Sequence, residues 1–385
     1  MMNSKYSVGI DMSKKDFKAC FILFDANQEV KIKASRAFVN TLNGFEQFKE
    51  WYTKHQKEDL SIVFILEATG AYHEQLAWFL YKNKQNINIV LPNRSKAFLI
   101  SLGQKSKNDK VDAKGLAVMG AVQKLKLWQP ISKAFYKLRS LTRHLEDLQN
   151  IRTSLINQQE QVNYAMYEIK DVSKSIIATL KTLDKQIAHC KKKIYSTIEK
   201  DEALNKKVAY MTSIKGVGML TAAIVMSETN GFALINNVKQ LVSYTGYDVK
   251  ENQSGSKVGK TRITKKGNAH IRRAMHLPAF STVRNKVKPF NELYNRVYEK
   301  QGIKMKAYVA VQSKLLRMMY TLWKNETMFD ANYQPSGIQE HKPLFSVDPP
   351  VGGENNKTAE SKDSAALDQL PCNQSHEALF SVTQI

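Results

Sequence analysis

The sequence predicts an α/β domain at the front of the chain, a long helical region behind it and a mainly helical second domain. Short apolar segments alternate with helical patterns as far as about residue 128, which is typical of a sheet covered by helices. Apolar residues then recur at steps of three and four, which indicates long amphipathic helices. We divide the chain into residues 1–128, 129–204, 205–332 and a tail of 333–385.

Apolar runs bounded by polar or turn residues predict the strands of the first domain. One of them, Ser61–Leu66, is almost wholly apolar, as expected for a strand covered on both faces. Helical patterns occupy residues 45–57 and begin again near Tyr72. The predicted strands are, in order, Tyr6–Ile10, Phe17–Phe24, Glu29–Val39, Ser61–Leu66 and Ile87–Leu91.

The helical region is defined by an apolar stripe that runs from Leu138 through Met166 and Ile169 to Ile198. Its spacing predicts long helices in one of three arrangements. They form an antiparallel coiled-coil hairpin, an oligomerising arm, or two helices packed on the body. Gln159 lies at a seam position, which argues against one unbroken heptad repeat.

Charge divides the chain into a basic body and an acidic tail. The formal net charge is +23, but residues 333–385 contain three Lys and seven Asp or Glu, so the preceding residues carry +27. A surplus of that size on a folded body indicates a polyanionic partner such as nucleic acid. The tail holds five of the nine prolines and little apolar periodicity, so we expect it to be disordered.

Other classes of protein are disfavoured by composition. The three cysteines are far apart and form no CxxC pair, so neither a disulfide framework nor a zinc ribbon is expected. The amino terminus lacks an apolar segment of signal-peptide length. No apolar run approaches the roughly 18 residues of a membrane span. We therefore expect a soluble, cytoplasmic protein.

Four acids of the first domain are candidate metal ligands. Asp11 and Glu67 end predicted strands, while Asp109 and Asp112 lie three residues apart, which places both on one helix face. Each acid alone has an ordinary structural explanation, since acids also suit helix N-termini. Clustered together, four carboxylates repel one another unless divalent cations lie between them, and Mg²⁺ prefers such oxygen ligands. Two ions about 4 Å apart could stabilise both oxygens of a phosphoryl transfer.

The second domain contains a basic segment that carries a candidate nucleophile. Between Asn252 and Asn291 there are ten Lys or Arg and no acid, so we expect contacts with phosphates. Within it, Ser254-Gly255 offers a hydroxyl on a flexible backbone, although such a pair is ordinary in a loop. Upstream, Lys215–Ala222 fits a helix-hairpin-helix turn or a plain tight turn between helices. The candidate nucleic-acid contacts are Lys257, Lys260, Arg262, Lys265, Lys266, Arg272 and Arg273.

Three motifs of the first domain suggest a family: Gly9-Ile-Asp11, Leu66-Glu-Ala-Thr-Gly-Ala-Tyr72 and Asn108-Asp-Lys-Val-Asp-Ala113. They resemble the DEDD, RuvC-like domain of the IS-one-ten (IS110) family of insertion-sequence transposases, relatives of the Piv invertase. The resemblance implies a domain with the RNase H fold. It also implies that the catalytic, Mg²⁺-binding tetrad consists of Asp11, Glu67, Asp109 and Asp112.

The second domain extends this resemblance. The family's pattern is a Ser-Gly, a basic stretch, Ile-Ser-Lys-x-Gly-Asn or -Asp, and Leu-Arg. Here Ser254-Gly255, Ile263-Thr-Lys-Lys-Gly-Asn268 and Ile271-Arg272 match it. The resemblance implies Ser254 as the catalytic nucleophile, with Ser256 as its nearest competitor. Gly246-Tyr-Asp-Val249 departs from the family's usual Gly-Leu-x-Pro, which bears on loop geometry.

The resemblance implies a DNA recombinase that cuts and rejoins DNA to mobilise its own element. It implies a homo-oligomer, dimer or tetramer, acting at the bacterial nucleoid on element ends and target DNA, guided by a noncoding bridge RNA. Two alternatives stay open. One is a RuvC-like Holliday-junction nuclease that uses only water and metal and leaves no protein–DNA adduct. The other is a noncatalytic nucleic-acid-binding protein.

Overall fold

The computed structural model describes residues 4–57, 59–103, 108–167, 169–251, 253–254, 257–259 and 261–333. Residues 1–332 form one compact unit, and the boundaries proposed within it at residues 128 and 204 stay predictions. The tail, which we expect to be disordered, lies outside the described residues except for Tyr333. Lys260, Gly255 and Ser256 lie outside them too.

The first part of the chain folds as a mixed sheet with helices on both faces. Its elements are β1 (Lys5–Met12), β2 (Asp16–Phe24), β3 (Val30–Val39), α1 (Leu42–His55), β4 (Ile62–Glu67), α2 (Glu74–Lys82), β5 (Asn86–Val90), α3 (Pro92–Ser101) and α4 (Asp109–Val122).

The strand order is β3-β2-β1-β4-β5. The first three strands are antiparallel neighbours, whereas β4 and β5 run parallel to β1. This order and these directions are those of a RuvC-like domain with the RNase H fold, so the fold expected from the sequence is confirmed.

Alternation along the strands assigns each side chain to one of two cores. The even-numbered residues of β1 pack with α1 in an aromatic core, where the Phe48 ring lies edge-on to Phe17, with centroids 5.3 Å apart. The odd-numbered residues face α4, and the buried Ser7 donates a hydrogen bond to the carbonyl of Ala117 at 2.7 Å. Full burial of one such aromatic side chain contributes about 1.5–3 kcal/mol, so α1 is strongly held.

Gly9 allows α4 to approach β1 unusually closely. A Cβ atom built at Gly9 would lie 2.1 Å from both the Ala113 carbonyl oxygen and the Ala117 nitrogen. Real Cβ atoms do not approach backbone atoms so closely, so any larger residue would push the helix away. The glycine therefore sets the position of α4, and with it the position of the acids at the helix start.

Two long helices, α5 (Lys133–Asn163) and α6 (Lys170–Glu199), form the predicted helical region. Arg152 pairs with Asp184 at 2.6 Å and Cys190 donates to the Leu141 carbonyl at 3.3 Å, so the helices are antiparallel. Residues of both helices also belong to one buried apolar cluster with residues of the helices that follow them. The hairpin and the packing on the body, which the sequence left as alternatives, therefore occur together.

The predicted apolar stripe is wrong at the middle of this region. Met166 and Ile169 lie in the connection between the helices and are 89% and 59% exposed. Periodicity does not reveal where a chain reverses, because apolar residues in a connection can continue the spacing by chance.

The remaining residues are mainly helical, as predicted. Buried side chains of α13, among them Val311, Leu315 and Met319, lie in the centre of their core. Among the described residues, no helix combines the length and apolar character needed to cross a membrane. The elements are α7 (Glu202–Thr212), α8 (Met219–Thr229), α9 (Val238–Thr245), β6 (Val249–Lys250), β7 (Gln253–Ser254), β8 (Lys257–Val258), β9 (Arg262–Ile263), α10 (Ala269–Ala274), α11 (His276–Arg284), α12 (Lys288–Gln301) and α13 (Lys304–Asn325).

The glycine-containing turn before α8 is a tight connection between α7 and α8. Gly216 has a φ of +107°, which side chains rarely adopt, and a Cβ there would lie 2.9 Å from Ser281 Oγ. The turn thus needs glycine in order to pack on α11. This geometry agrees with the second alternative for Lys215–Ala222, a plain tight turn between helices.

Candidate active site

Two of the four acids come from neighbouring parallel strands. β1 and β4 are parallel, so their carboxyl ends meet at one edge of the sheet, where Asp11 and Glu67 lie. Both are odd-numbered members of strands whose odd positions face α4. Asp109 and Asp112 occupy the first turn of that helix. The fold therefore brings Asp11, Glu67, Asp109 and Asp112 to one corner of the sheet, which we call the carboxylate corner.

The electrostatics of Asp11 show that the acids interact. Burial, followed by the charges of Asp109, Asp112 and Glu67, raises the pKa of Asp11 to about 6 from its ordinary 3.8. The Lys18 ammonium acts in the opposite direction. Neighbouring negative charges disfavour the ionised form of a carboxyl group, and a bound cation would relieve that repulsion.

Two further side chains hold members of this group. The Lys18 ammonium donates a hydrogen bond to the Asp109 carboxylate and forms an ion pair with it. The fully buried Ser95, from α3, donates its hydroxyl proton to the Glu67 carboxylate at 2.6 Å. Asp109 and Glu67 are thus oriented by protein groups at the edge of the site.

Asn40 ties together the two loops that follow Asp11 and Glu67. Its Nδ2 donates to the carbonyls of Ser13 and Tyr72, both at 3.1 Å. Ser13 follows β1, and Tyr72 lies in the turn that follows β4. One side chain after β3 therefore fixes the relative position of the segments that carry two of the acids.

The donor set fits a hard divalent cation in its chemistry. The four carboxylates supply oxygen ligands, which Mg²⁺ prefers, and their mutual repulsion is what a cation would relieve. Within the described ranges, no three His, Cys, Asp or Glu side chains lie close enough together to hold a metal as they stand. In this arrangement one oxygen of Asp109 accepts from Lys18 and one oxygen of Glu67 accepts from Ser95.

Ser254 lies near the turn of a β-hairpin. Val249 pairs with Ile263 at the base, and Ser254 pairs with Lys257 further out. At about 3.3 Å per residue, Ser254 lies at most about 20 Å beyond Asp248, where the hairpin begins. The Ser254 side chain is exposed. We call the described residues between 248 and 264 the serine hairpin.

Backbone hydrogen bonds and close packing lock the base of the serine hairpin. Asn268 and Lys265 donate their backbone N–H groups to the carbonyls of Tyr244 and Gly246, at 2.8 and 3.1 Å. A Cβ at Gly267 would lie 2.5 Å from Gly246 N and Tyr244 O, so only glycine fits there. Gly267-Asn268 of the sequence motif thus holds together the base of the serine hairpin.

The buried carboxylate of Glu228 anchors this base to the helical core. Arg143 donates to its two oxygens at 2.8 and 2.9 Å, and Asn268 Nδ2 donates at 2.7 Å. Tyr244 donates its hydroxyl proton to the Glu228 backbone carbonyl at 2.7 Å. Burial opposes ionisation of Glu228, but the hydrogen bonds from Arg143 and Asn268 outweigh it and lower its pKa.

Arg272 and Arg273, predicted to bind phosphates, already have protein partners. Arg272 donates to the carbonyls of Thr245 and Gly267, at 2.7 and 3.0 Å. Arg273 pairs with Glu146 at 2.8 Å and donates to Asn150 at 2.7 Å. Their observed contacts are structural, because they join α10 to the hairpin base and to α5.

The structure describes only some of the other side chains that the sequence predicts to contact nucleic acid. Arg262, Lys265 and Lys266 are exposed on the serine hairpin and its base. The backbone of Lys257 pairs with that of Ser254. The side chain of Lys257 and the whole of Lys260 lie outside the described residues.

Two transposase family models match this chain. The DEDD transposase model of the IS110 family matches residues 8–164. A second model, described as the transposase IS116/IS110/IS902 family, matches residues 208–295. Together they span more than half of the chain, in the order of the carboxylate corner and the serine hairpin. The chain belongs to the IS110 family of transposases.

Relatives of this transposase include the pilin gene-inverting proteins of Moraxella lacunata and Moraxella bovis. Each is 28% identical over 328 residues, which is 85% of this chain and 98% of theirs. An uncharacterized 43.6 kDa protein of insertion element IS110 from Streptomyces coelicolor is 24% identical over 133 residues, 34% of this chain and 31% of that protein. The transposase is therefore an enzyme of a family that acts on DNA.

Among solved structures, Thermus thermophilus RuvC bound to a Holliday junction aligns with the transposase at 8% identity and a TM-score of 0.26. The alignment covers 32% of this chain and 99% of RuvC. The fold assignment rests on the strand order and directions given above.

Sequence reasoning missed five residues of this transposase: Lys18, Asn40, Ser95, Arg143 and Glu228. Lys18 could have been found from the β1–β2 hairpin, because a short turn after Asp11 predicts a cross-strand neighbour on β2. Ser95, Arg143 and Glu228 have no sequence signal of this kind. Their partners are 28 to 85 residues away, and only packing brings them together.

Proposed function

We propose that this transposase cleaves and rejoins DNA through Ser254, assisted by Mg²⁺ held by Asp11, Glu67, Asp109 and Asp112. The observation that carries the proposal is the carboxylate corner, where three acids and burial together raise the pKa of Asp11 to about 6. Clustered carboxylates of this kind can hold the divalent cations that assist cleavage of a phosphodiester. A bound Mg²⁺ would neutralise charge on the phosphate oxygens and favour ionisation of an attacking hydroxyl.

The exposure of Ser254 supports its proposed role as the nucleophile. Ser254 is exposed near the turn of a hairpin whose base is fixed by Glu228 and Asn268. In the proposed reaction, Ser254 Oγ loses its proton and forms a bond to phosphorus, while the bond from phosphorus to the sugar oxygen breaks and that oxygen takes up a proton. Rejoining is the reverse, with a sugar hydroxyl attacking the phosphoserine ester.

A serine hydroxyl requires an activating group. Lys250 and Arg262 of the serine hairpin suit phosphates rather than proton abstraction, while Glu251 is an exposed carboxylate of the same hairpin. Because a bound divalent cation favours ionisation of a hydroxyl, we infer that the carboxylate corner supplies the activation. We further infer that the two parts meet between subunits of a homo-oligomer, a dimer or tetramer, assembled on DNA.

The choice of DNA sequence is proposed to come from a bridge RNA. The exposed basic residues Arg262, Lys265 and Lys266 suit phosphate contacts, which position a duplex without reading its sequence. The charge of +27 on residues 1–332 is ample for holding both an RNA and a DNA strand. Base pairing with a guide would then supply specificity that these contacts lack.

The nucleophile can be tested by trapping the covalent intermediate. Purified wild-type protein with its element-end DNA and guide RNA should give a denaturation-resistant protein–DNA adduct. Ser254→Ala should give no adduct and no recombination while DNA binding survives. Ser256→Ala is the matched control and should be milder. An adduct that maps to Ser256 would move the role by two residues.

A nuclease that uses water would give a different result. Cleavage would leave free DNA ends, no adduct would form, and the Ser254→Ala protein would still cut a Holliday junction. Normal recombination by the Ser254/Ser256 double alanine variant would refute the serine mechanism in favour of this alternative. A protein that binds without cutting would identify the noncatalytic class.

A further inference from the structure

Lys18 is built into the carboxylate corner by the register of the sheet. Lys18 is the cross-strand partner of Asp11, so their side chains leave the same face of neighbouring strands. That face is covered by α4, whose first residue is Asp109. Lys18 therefore projects between the strand that carries Asp11 and the helix that carries the other two aspartates.

The ammonium of Lys18 already contacts one of the proposed ligands. It forms a hydrogen-bonded ion pair with Asp109 Oδ2, with the two side chains 31% and 61% exposed. A carboxylate oxygen that accepts this bond has to give it up, or share it, when it ligates a cation. In addition, a fixed positive charge beside a cation site repels the incoming ion.

We propose that Lys18 is an internal counter-cation that competes with Mg²⁺ for Asp109. It neutralises part of the negative charge of the corner when the cation is absent, and it raises the Mg²⁺ concentration needed to fill the site. Cation loading would then be coupled to release of the Lys18 ammonium from Asp109. This inference rests on the proposed Mg²⁺ site and concerns how that site is filled.

The test compares Mg²⁺ binding by the intact wild-type chain with that of Lys18→Met, which keeps an unbranched side chain and removes the charge. Titration calorimetry gives the dissociation constant directly, and the Mg²⁺ dependence of the unfolding temperature gives it independently. Lys18→Met should bind Mg²⁺ about three- to tenfold more tightly, an effect on the order of one ion pair. Without Mg²⁺, it should unfold at a lower temperature than wild type.

Two matched variants complete the design. Lys18→Arg keeps the charge and should restore a dissociation constant close to wild type. Lys31→Met removes the same charge and breaks an exposed ion pair with Asp25 on the β2–β3 hairpin, away from Asp109, so it should leave Mg²⁺ binding unchanged.

Each outcome has one meaning. If wild type binds Mg²⁺ and Lys18→Met binds it equally or more weakly, Lys18 is not a competitor and the inference is overturned, while the proposed function stands. If wild type binds no Mg²⁺, the proposed metal site fails and the inference fails with it. Equal tightening by Lys31→Met would reduce the effect to general charge, which also overturns the inference.

Discussion

Arg143 holds both carboxylate oxygens of Glu228, at 2.8 and 2.9 Å, although 85 residues separate them in the sequence. The pair joins the long helix α5 to α8, and Asn268 extends it to the base of the serine hairpin. The proposed nucleophile at the far end of the hairpin would need a rigid base, since a small tilt at the base is magnified at the tip. Arg143, Glu228 and Asn268 thus connect the long helix α5 with the hairpin that carries Ser254.

Replacing Arg143 by alanine should destabilise the protein by about 3 kcal/mol, because a buried carboxylate loses its main partner. The lowered pKa of Glu228 means that this contribution is present above the unfolded pKa of about 4.5 and is lost as pH falls through the folded value. The deficit should therefore be larger at pH 7 than at pH 4 in urea unfolding. Arg152→Ala, which breaks an exposed pair with Asp184, should cost less than about 1 kcal/mol at both pH values.

Asp11→Asn should abolish DNA cleavage and yet stabilise the protein in chelator at pH 7. The pKa of Asp11 is raised to about 6, so its contribution to stability is complete below the unfolded value of 3.8 and is lost as pH rises through about 6. Asp11 is partly solvated, so the gain should be about 1–2 kcal/mol. Thermal unfolding between pH 4 and pH 7 measures it, and equal pH profiles for both proteins would contradict the repulsion. Full cleavage activity of wild type in excess chelator would show that no divalent ion is needed.

Gly9→Ala should disrupt the carboxylate corner without touching any acid. The new methyl group would meet backbone atoms of Ala113 and Ala117, so α4 has to move and the stability should fall by about 3 kcal/mol. Cleavage should fall as well, because Asp109 and Asp112 move with the helix. Gly218→Ala is the control, since nothing lies within 4 Å of its Cβ position. Wild-type stability and cleavage in Gly9→Ala would show that the close approach is not required.

Lys265→Ala and Lys266→Ala should each weaken DNA binding about equally for all sequences and lower the salt slope by about one unit. Both side chains are exposed at the hairpin base. Arg272→Ala should instead reduce stability, because its guanidinium donates to the carbonyls of Thr245 and Gly267. Binding titrations at several salt concentrations separate the two effects. A loss confined to one DNA sequence would indicate base reading.

Removing the tail from Pro335 should leave folding and catalysis largely unchanged. The prediction rests on the tail's proline content and weak apolar periodicity, which indicate that it buries little surface. Unfolding temperature and adduct yield of the truncated chain are the measurements. A large fall in either would mean that the division of the chain at residue 333 is wrong.

The sequence by itself determined the architecture of the first domain and the identity of its acids. Strand and helix periods are local properties, and Asp11 and Glu67 could be placed because strand ends can be read from apolar runs. It also predicted two long helices, but not that the chain reverses between them near Met166, since a connection can continue an apolar spacing. Family motifs pointed to Ser254, for which the residues alone gave no reason.

Only the tertiary structure decided which groups surround these residues. The contacts of Asp109 with Lys18, of Glu67 with Ser95 and of Glu228 with Arg143 join separate elements. Such partners are selected by sheet register and by how closely the helices pack on the sheet, and glycines at positions 9 and 120 let α4 pack closely. For the same reason the basic segment divides in two: the side chains of Lys265 and Lys266 reach solvent, whereas Arg272 and Arg273 are held by neighbours that sequence spacing does not reveal.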